Sequence, residues 1–203
     1  MRKKILLFIL IGIIPLSIFS QKLKDVLIKT DIFEVMYSQK YEQPLWVKYI
    51  VKCPNGSASR SGMDFYTNDS IHTSDKDDYI HNIYDKGHMA PAADFNCTRE
   101  MLYRTFSYLN CALQHQDLNR TTWRLLEVKE RLLANEHKVV EVTITCVFSK
   151  TSIKLPSGAT VPDGFYKLIK YGKNVDKYYF KNEKPSTLDY SKYLVKWWKS
   201  VKY

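Results

Sequence analysis

One long helical segment set among several strand-like runs most constrains the fold of this chain. Residues 119–135 carry Trp123, Leu126 and Leu133 at helical spacing, with charged residues on the other positions. Runs rich in β-branched and aromatic residues lie on both sides of it, at residues 32–37, 45–51, 138–149, 165–171 and 177–180. This pattern predicts an α+β domain with an antiparallel β-sheet core.

Shorter elements are predicted from capping and composition. Thr98 is a suitable N-cap for a short helix over residues 98–106, and Asn119 is a suitable N-cap for the long helix. Residues 80–84 are predicted to form a strand, whereas residues 23–30 are expected to be a linker or a helical turn.

The first twenty residues have the composition of a secretory signal peptide. A basic start precedes an almost entirely apolar run over residues 5–19, and Ser20 is a small residue suited to cleavage. The run is close to the lower length limit for a membrane-spanning helix, so an uncleaved anchor is the alternative. A proline in the run and the polar residues after it favour cleavage. The sequence predicts a signal peptide over 1–20, one domain over 21–203, and a secreted or periplasmic location.

Charge and cysteine content narrow the class of protein. After residue 20 the chain keeps 28 basic residues against 21 acidic ones, which favours nucleic acid, anionic lipid or acidic glycan as a partner. Four cysteines stand at positions 53, 97, 111 and 146, and none belongs to a CxxC pair, which argues against a zinc ribbon or a thioredoxin. The sequence is equally compatible with two alternatives, in which the four cysteines form two disulfides or stay as buried thiols.

The stretch from Tyr84 to Pro91 has the chemistry of a basic catalyst. Histidine is the side chain whose ordinary pKa lies nearest neutrality, so His88 is expected to accept a proton from water at working pH. Lys86 is suited to an anionic substrate, and Gly87 lets backbone or ligand approach closely. The four other histidines are interpreted as surface or structural residues, although His115 stands four residues before Asn119 and permits a metal pair.

A second group of polar residues lies downstream on the long helix. Glu127 is eight residues after Asn119, about 80° around an ideal helix, and Arg131 is one further turn along. Amide and carboxylate oxygens suit Mg²⁺ and its water molecules, and arginine suits phosphate. The four-residue spacing predicts contact between Glu127 and Arg131.

Together these two segments resemble the DNA/RNA non-specific endonucleases, the ββα-metal nucleases. The run Asp-Lys-Gly-His-Met-Ala-Pro-Ala-Ala-Asp-Phe from Asp85 resembles the DRGH signature, and Asn119, Trp123 and Leu126-Glu127 match the N-xxx-W-xx-LE segment. Two linked motifs about thirty residues apart are far more specific than either one. The resemblance covers roughly residues 33–170.

The resemblance implies a catalytic role for each matched residue. His88 would be the general base that deprotonates the attacking water, and Asn119 the sole direct protein ligand of Mg²⁺. Glu127 would hold water molecules on the ion through its carboxylate. Mg²⁺ is therefore the expected cofactor, with Mn²⁺ as a substitute, and the products would carry 5′-phosphate ends.

Further residues are expected to contact the substrate or support the metal ligand. By the same resemblance Arg60 would contact the scissile phosphate, Arg131 would contact phosphate or hold Glu127, and Asp85 would accept hydrogen bonds behind the metal ligand. Two positions depart from the family pattern. Lys86 replaces an arginine, which keeps the charge but loses the bidentate fork, and Leu113 replaces a proline that would stiffen the loop.

The sequence therefore predicts a secreted, Mg²⁺-dependent endonuclease that acts on DNA and RNA through phosphate contacts. One alternative is a non-catalytic nucleic-acid-binding protein on the same scaffold, and another is an exported nuclease toxin. The terminal Trp197-Trp198 pair suits either base stacking or docking on the body of the protein.

Overall fold

A computed structural model describes residues 23–68 and 70–196. The expected signal peptide and the Trp197-Trp198 pair lie outside these residues. The β-strands are β1 Asp25–Lys29, β2 Phe33–Ser38, β3 Gln43–Ile50, β4 Tyr84–His88, β5 Cys111–His115, β6 Val140–Val147, β7 Gly164–Tyr171 and β8 Asn174–Lys181. The α-helices are α1 Arg99–Arg104, α2 Gln116–Leu118 and α3 Arg124–Glu136. Over the described residues, none of the helices is both long and apolar enough to cross a bilayer.

The core is an antiparallel sheet in the order β1-β2-β3-β6-β7-β8. Alternate residues of its central strands, among them Val35, Val47 and Ile144, are fully buried against the long helical segment. Trp123 of that segment packs edge-on against Phe165 at 5.5 Å and Phe180 at 5.6 Å between ring centroids. The expected α+β architecture is confirmed, and so is the core position of Trp123.

Two sequence expectations about strands are wrong. Residues 25–29 form the edge strand β1, paired with β2, rather than a linker or a helical turn. The strand expected over 80–84 begins only at Tyr84, because His81 has a positive φ of 57° and the preceding residues bend. In both places the extent of the strand depends on hydrogen bonds to a partner strand. The identity of that partner cannot be read from the side-chain composition of the segment itself.

The long helical segment starts earlier than expected and is interrupted. α2, a π-helical turn over Asn119–Trp123 and α3 follow one another without a break. Asn119 is therefore not the N-cap; it has helical backbone angles. His115 caps the segment instead, since its Nδ1 accepts a hydrogen bond from the backbone N–H of Asp117 at 3.2 Å. This assigns His115 a structural role.

The cysteines match neither of the two sequence expectations. Cys53 and Cys97 form a disulfide with their Cα atoms 5.4 Å apart, whereas Cys111 and Cys146 are buried thiols. Burial raises the pKa of both thiols well above its usual value, so neither has thiolate character at neutral pH. The one disulfide joins the chain just after β3 to the chain just before α1.

Candidate active site

The sequence motif lies on the first strand of a two-stranded unit, and the second strand of that unit continues directly into the helical segment. β4 pairs with β5 in an antiparallel register that sets Gly87 opposite Ala112 and Asp85 opposite Gln114. A Cβ atom at Gly87 would lie 2.6 Å from the side chain of Gln114, so the close packing of the two strands requires glycine here. Since α2 begins immediately after β5, the motif has ββα topology.

A cleft with a volume of about 680 Å³ lies between β4, the loop around Arg60 and the helical segment. Six of the seven residues predicted from the sequence line it: Arg60, Lys86, His88, Asn119, Glu127 and Arg131. The seventh, Asp85, contacts the cleft residue Asn119. The tertiary structure therefore brings the two sequence motifs together at one site.

The π-helical turn changes how Asn119 and Glu127 are related. An ideal helix with about 3.6 residues per turn would rotate them apart. A π turn holds about one more residue, so the eight-residue step comes close to two complete turns. Both side chains consequently line the same cleft. Sequence spacing alone could not give this alignment.

His88 is held in an aromatic clamp. Its ring lies 4.6 Å from that of Phe65 and 4.7 Å from that of Phe106 between centroids. Burial, reinforced by the nearby positive charge of Arg60, lowers the pKa of His88 to about 3. The imidazole is thus uncharged at neutral pH. Its Nε2 atom is buried and has no hydrogen-bond partner within the described part of the chain.

Asp85 fixes the side chain of Asn119. The Nδ2 of Asn119 donates to Oδ2 of Asp85 at 2.9 Å, which leaves the Asn119 carbonyl oxygen as the available ligand atom. Arg120 forms a bidentate pair with the same carboxylate, at 2.9 Å from Nε and 2.6 Å from Nη2. The positive charge of Arg120 therefore balances the Asp85 carboxylate, and both oxygens of that carboxylate accept hydrogen bonds. Arg120 was not predicted from the sequence. The only signal that could have identified it as a site residue is its position next to Asn119.

Glu127 is a carboxylate in a desolvated setting. Burial, opposed mainly by the positive charge of Lys167, raises the pKa of Glu127 to about 7. Its neighbour on the helix, Glu130, is fully buried and binds Lys167 Nζ at 2.5 Å and the Tyr49 hydroxyl at 2.6 Å. A buried ion pair therefore lies close enough to Glu127 to influence its charge.

Arg131 does not form the predicted pair with Glu127. Its Nη1 donates to Oδ1 of Asp94 at 2.8 Å, and Asp94 is fully buried. Burial raises the pKa of Asp94 well above its usual range, and the nearby charge of Glu130 adds to this effect. Because Asp94 is fully buried, its side chain needs a hydrogen-bond donor within the protein, and Arg131 supplies one.

The donor atoms fit a divalent cation that retains most of its water. Within the described residues, no group of three or more His, Cys, Asp or Glu side chains could hold a metal. An oxygen from Asn119 and a nearby carboxylate suit an ion of the Mg²⁺ type, which keeps several waters. Both amide atoms of the buried Gln114 lack protein partners in the described chain, as does Nε2 of His88. Unpaired buried polar atoms of this kind are suited to ordered water.

The cations of the cleft differ in how they are paired. Lys86, Arg120 and Arg131 each bind a carboxylate. Within residues 23–68 and 70–196, no carboxylate pairs with Arg60 or with Arg124, a second cleft cation that sequence reasoning missed. These two guanidinium groups are the ones most available to an incoming anion.

Lys86 is restrained by an exposed acid. Its Nζ lies 2.8 Å from Oδ1 of Asp64 and over the rings of Phe65 and Tyr108. The side chain of Asp64 is 78% exposed, and the hydrogen bond from Lys86 lowers the pKa of Asp64. This pair competes with any phosphate that approaches Lys86.

Replacing Asp64 with asparagine is expected to strengthen nucleic-acid binding, because Lys86 becomes free to neutralise a phosphate. Binding of a non-hydrolysable oligonucleotide should tighten, and the slope of log K against log salt should steepen by about 0.7–0.9. Asp77→Asn, the same charge change at an exposed position outside the cleft, is the matched control. Equal effects of the two variants would show that only net charge matters.

Known proteins with related sequences and structures agree with this geometry. The sequence profile of the DNA/RNA non-specific endonuclease family matches residues 17–200. Mitochondrial endonuclease G of Bos taurus is 28% identical over 157 residues, which cover 73% of this chain and 50% of that protein. The mitochondrial nuclease of Saccharomyces cerevisiae is 27% identical over 154 residues, which cover 66% of this chain and 46% of that protein. The chain thus spans about half the length of these curated relatives.

A solved structure of an EndoG/EndoGI complex superposes with a TM-score of 0.73 and 25% sequence identity, covering 85% of this chain and 80% of the matched chain. The antiparallel sheet, the ββα unit and the cleft define the ββα-metal class of fold. The chain belongs to the DNA/RNA non-specific endonuclease family.

Proposed function

We propose that this protein is a secreted, metal-dependent endonuclease that hydrolyses phosphodiester bonds of DNA and RNA with little sequence preference. The observation that carries the proposal is the meeting of His88, Asn119 and Glu127 in one cleft that Arg60 also lines. A protein that only bound nucleic acid would need the cations but not these three polar groups together.

His88 would act as the general base. The lowered pKa leaves the imidazole uncharged at physiological pH, so a ring nitrogen is free to accept the proton of a water molecule, although as a weaker base than an ordinary histidine. The resulting hydroxide attacks phosphorus, and the leaving oxygen departs with the electrons of the broken P–O bond. The aromatic clamp of Phe65 and Phe106 restrains the ring and so orients the base.

The remaining charged residues would position the phosphate. Arg60 and Arg124 would bind its oxygens, and Lys86 would join them once released from Asp64. Asn119, oriented by Asp85, and Glu127, acting through water, would hold a divalent cation such as Mg²⁺, with Mn²⁺ as a substitute. When bound, such an ion would supply positive charge beside the phosphate and the leaving oxygen.

Weak sequence preference follows from the kind of contacts the cleft offers. Arginine and lysine side chains recognise phosphate, which is the same in every nucleotide and carries no base information. Both DNA and RNA would therefore be substrates.

Export is proposed from the N-terminal segment and from the Cys53–Cys97 disulfide, which suits an oxidising compartment. The relatives named above are mitochondrial proteins, and they support the nuclease fold but not this location. Comparing activity in culture medium or periplasm with that in cytoplasm would test the proposal.

Chelation of divalent ions tests the nuclease function directly. Purified protein should cut supercoiled plasmid and single-stranded RNA with Mg²⁺ present, and EDTA should abolish both reactions until excess Mg²⁺ is restored. Asn119→Ala should require much more Mg²⁺ than the native protein because its oxygen ligand is lost. Binding of both nucleic acids without cleavage at any Mg²⁺ concentration would instead identify a binding protein.

A further inference from the structure

Arg60 lies in a segment that no strand pairing supports. Residues 52–65 run between β3 and the cleft without a partner strand, and Gly62 turns the backbone there with a φ of 73°. A flexible arginine on a mobile loop would contact phosphate only part of the time. Some other contact must fix this backbone if Arg60 is to meet a reacting phosphate in one geometry.

Arg99, the first residue of α1, supplies such a contact. Its Nη1 donates to the carbonyl oxygen of Ser59 and its Nη2 to the carbonyl oxygen of Ser61, both at 2.9 Å. The two acceptors are the carbonyl groups of the residues immediately before and after Arg60. A planar guanidinium with two parallel donors fixes their spacing, which a lysine could not do.

The segment from which Arg99 projects is itself tied to the same loop. The Cys53–Cys97 disulfide joins the two segments two residues before Arg99. Asn96 adds a hydrogen bond from its Nδ2 to the Gly56 carbonyl at 3.0 Å and accepts another at its own carbonyl from the Ala58 N–H at 3.0 Å. The disulfide, Asn96 and Arg99 therefore secure the loop at successive points leading up to Arg60.

We propose that Arg99 is a positioning residue that holds the backbone of Arg60, so that the Arg60 guanidinium meets the scissile phosphate in a fixed orientation. The inference rests on the proposed function, in which Arg60 contacts that phosphate. Arg99 does not line the cleft, and its two terminal nitrogens are already used on backbone carbonyls. It acts through Arg60 and not on the substrate.

A double-mutant cycle tests this role. Cleavage of one short oligonucleotide is measured for the native protein, Arg99→Ala, Arg60→Ala and the double variant, with circular dichroism to establish that each is folded. Arg99→Ala should lower kcat by about 10-fold, in line with the sensitivity of such reactions to small misplacements. In the Arg60→Ala background it should change nothing further. Arg99→Lys should recover only part of the loss.

Other outcomes would overturn the inference. Additive losses in the double variant, together with a salt dependence of binding that is shallower in Arg99→Ala, would make Arg99 a phosphate ligand itself. Native activity in Arg99→Ala beside a large loss in Arg60→Ala would leave Arg60 important and Arg99 unnecessary. Arg104→Ala, an exposed arginine of the same helix that binds Asp31 and Glu100, is the matched control and should cleave normally.

A structural readout separates this inference from the proposed function. Amide hydrogen exchange at Ser61 and Met63 should be faster in Arg99→Ala than in the native protein and unchanged in Arg104→Ala. If the native protein cuts no nucleic acid, the proposed function fails, while exchange still reports whether Arg99 holds the backbone of Arg60. Unchanged exchange in Arg99→Ala would refute this positioning role whatever the activity.

Discussion

Replacing His88 with alanine is expected to lower kcat by about 10²–10⁴-fold, the usual contribution of a general base. The Nε2 of His88 lacks a hydrogen-bond partner in the described chain, so the substitution breaks no protein hydrogen bond at that atom. Binding of an uncleaved oligonucleotide should hardly change, because the uncharged ring does not neutralise a phosphate. Single-turnover cleavage and fluorescence anisotropy measure the two quantities separately.

The matched control is His137→Ala, which removes a histidine that contacts the Tyr171 ring in a tilted arrangement away from the cleft. It should cleave at the native rate. Substantial cleavage by His88→Ala, with normal metal dependence, would mean that another group activates the water. Loss of binding in parallel with cleavage would show that the clamp around the ring shapes the cleft.

Glu127→Gln is expected to abolish most cleavage and yet to stabilise the metal-free protein at alkaline pH. Burial raises the pKa of Glu127 from an ordinary 4.5 to about 7, so the folded protein binds a proton more readily than the unfolded chain does. The free energy of unfolding of the native protein therefore falls as pH rises from about 4.5 to about 7. Once pH exceeds that range, the total loss reaches about 3 kcal/mol. Glutamine carries no charge and avoids this loss.

Urea denaturation in EDTA at pH 5 and pH 8 would measure the effect. Glu127→Gln should have a higher free energy of unfolding than the native protein at pH 8, with most of the difference gone at pH 5. Adding Mg²⁺ should stabilise the native protein more than the variant, because the ion binds the ionised carboxylate site. Glu136→Gln, at an exposed position of the same helix, should show neither effect. A variant less stable than the native protein at pH 8 would contradict the desolvation argument.

The regular elements of the main sheet could be predicted because burial on one face leaves a periodic trace. Strands β2, β3, β6 and β7 and the short helix capped by Thr98 all lie close to their expected positions. Strand β4 was harder to recognise because it is the polar motif itself, and β5 is a strand of only five residues. Their pairing depends on the close contact of Gly87 with Gln114, which no periodicity reveals.

The sequence by itself determined the α+β class, the family and six of the charged and polar residues of the cleft, because two motifs with specific chemistry are visible in the order of the amino acids. Only the tertiary structure decided their partners. Arg131 binds Asp94 and not Glu127, and Arg120 joins Asn119 in binding Asp85. It also decided the π turn that aligns Asn119 with Glu127. The physical reason is that ion pairing and desolvation depend on distances across the fold, whereas sequence spacing constrains only neighbours along one element.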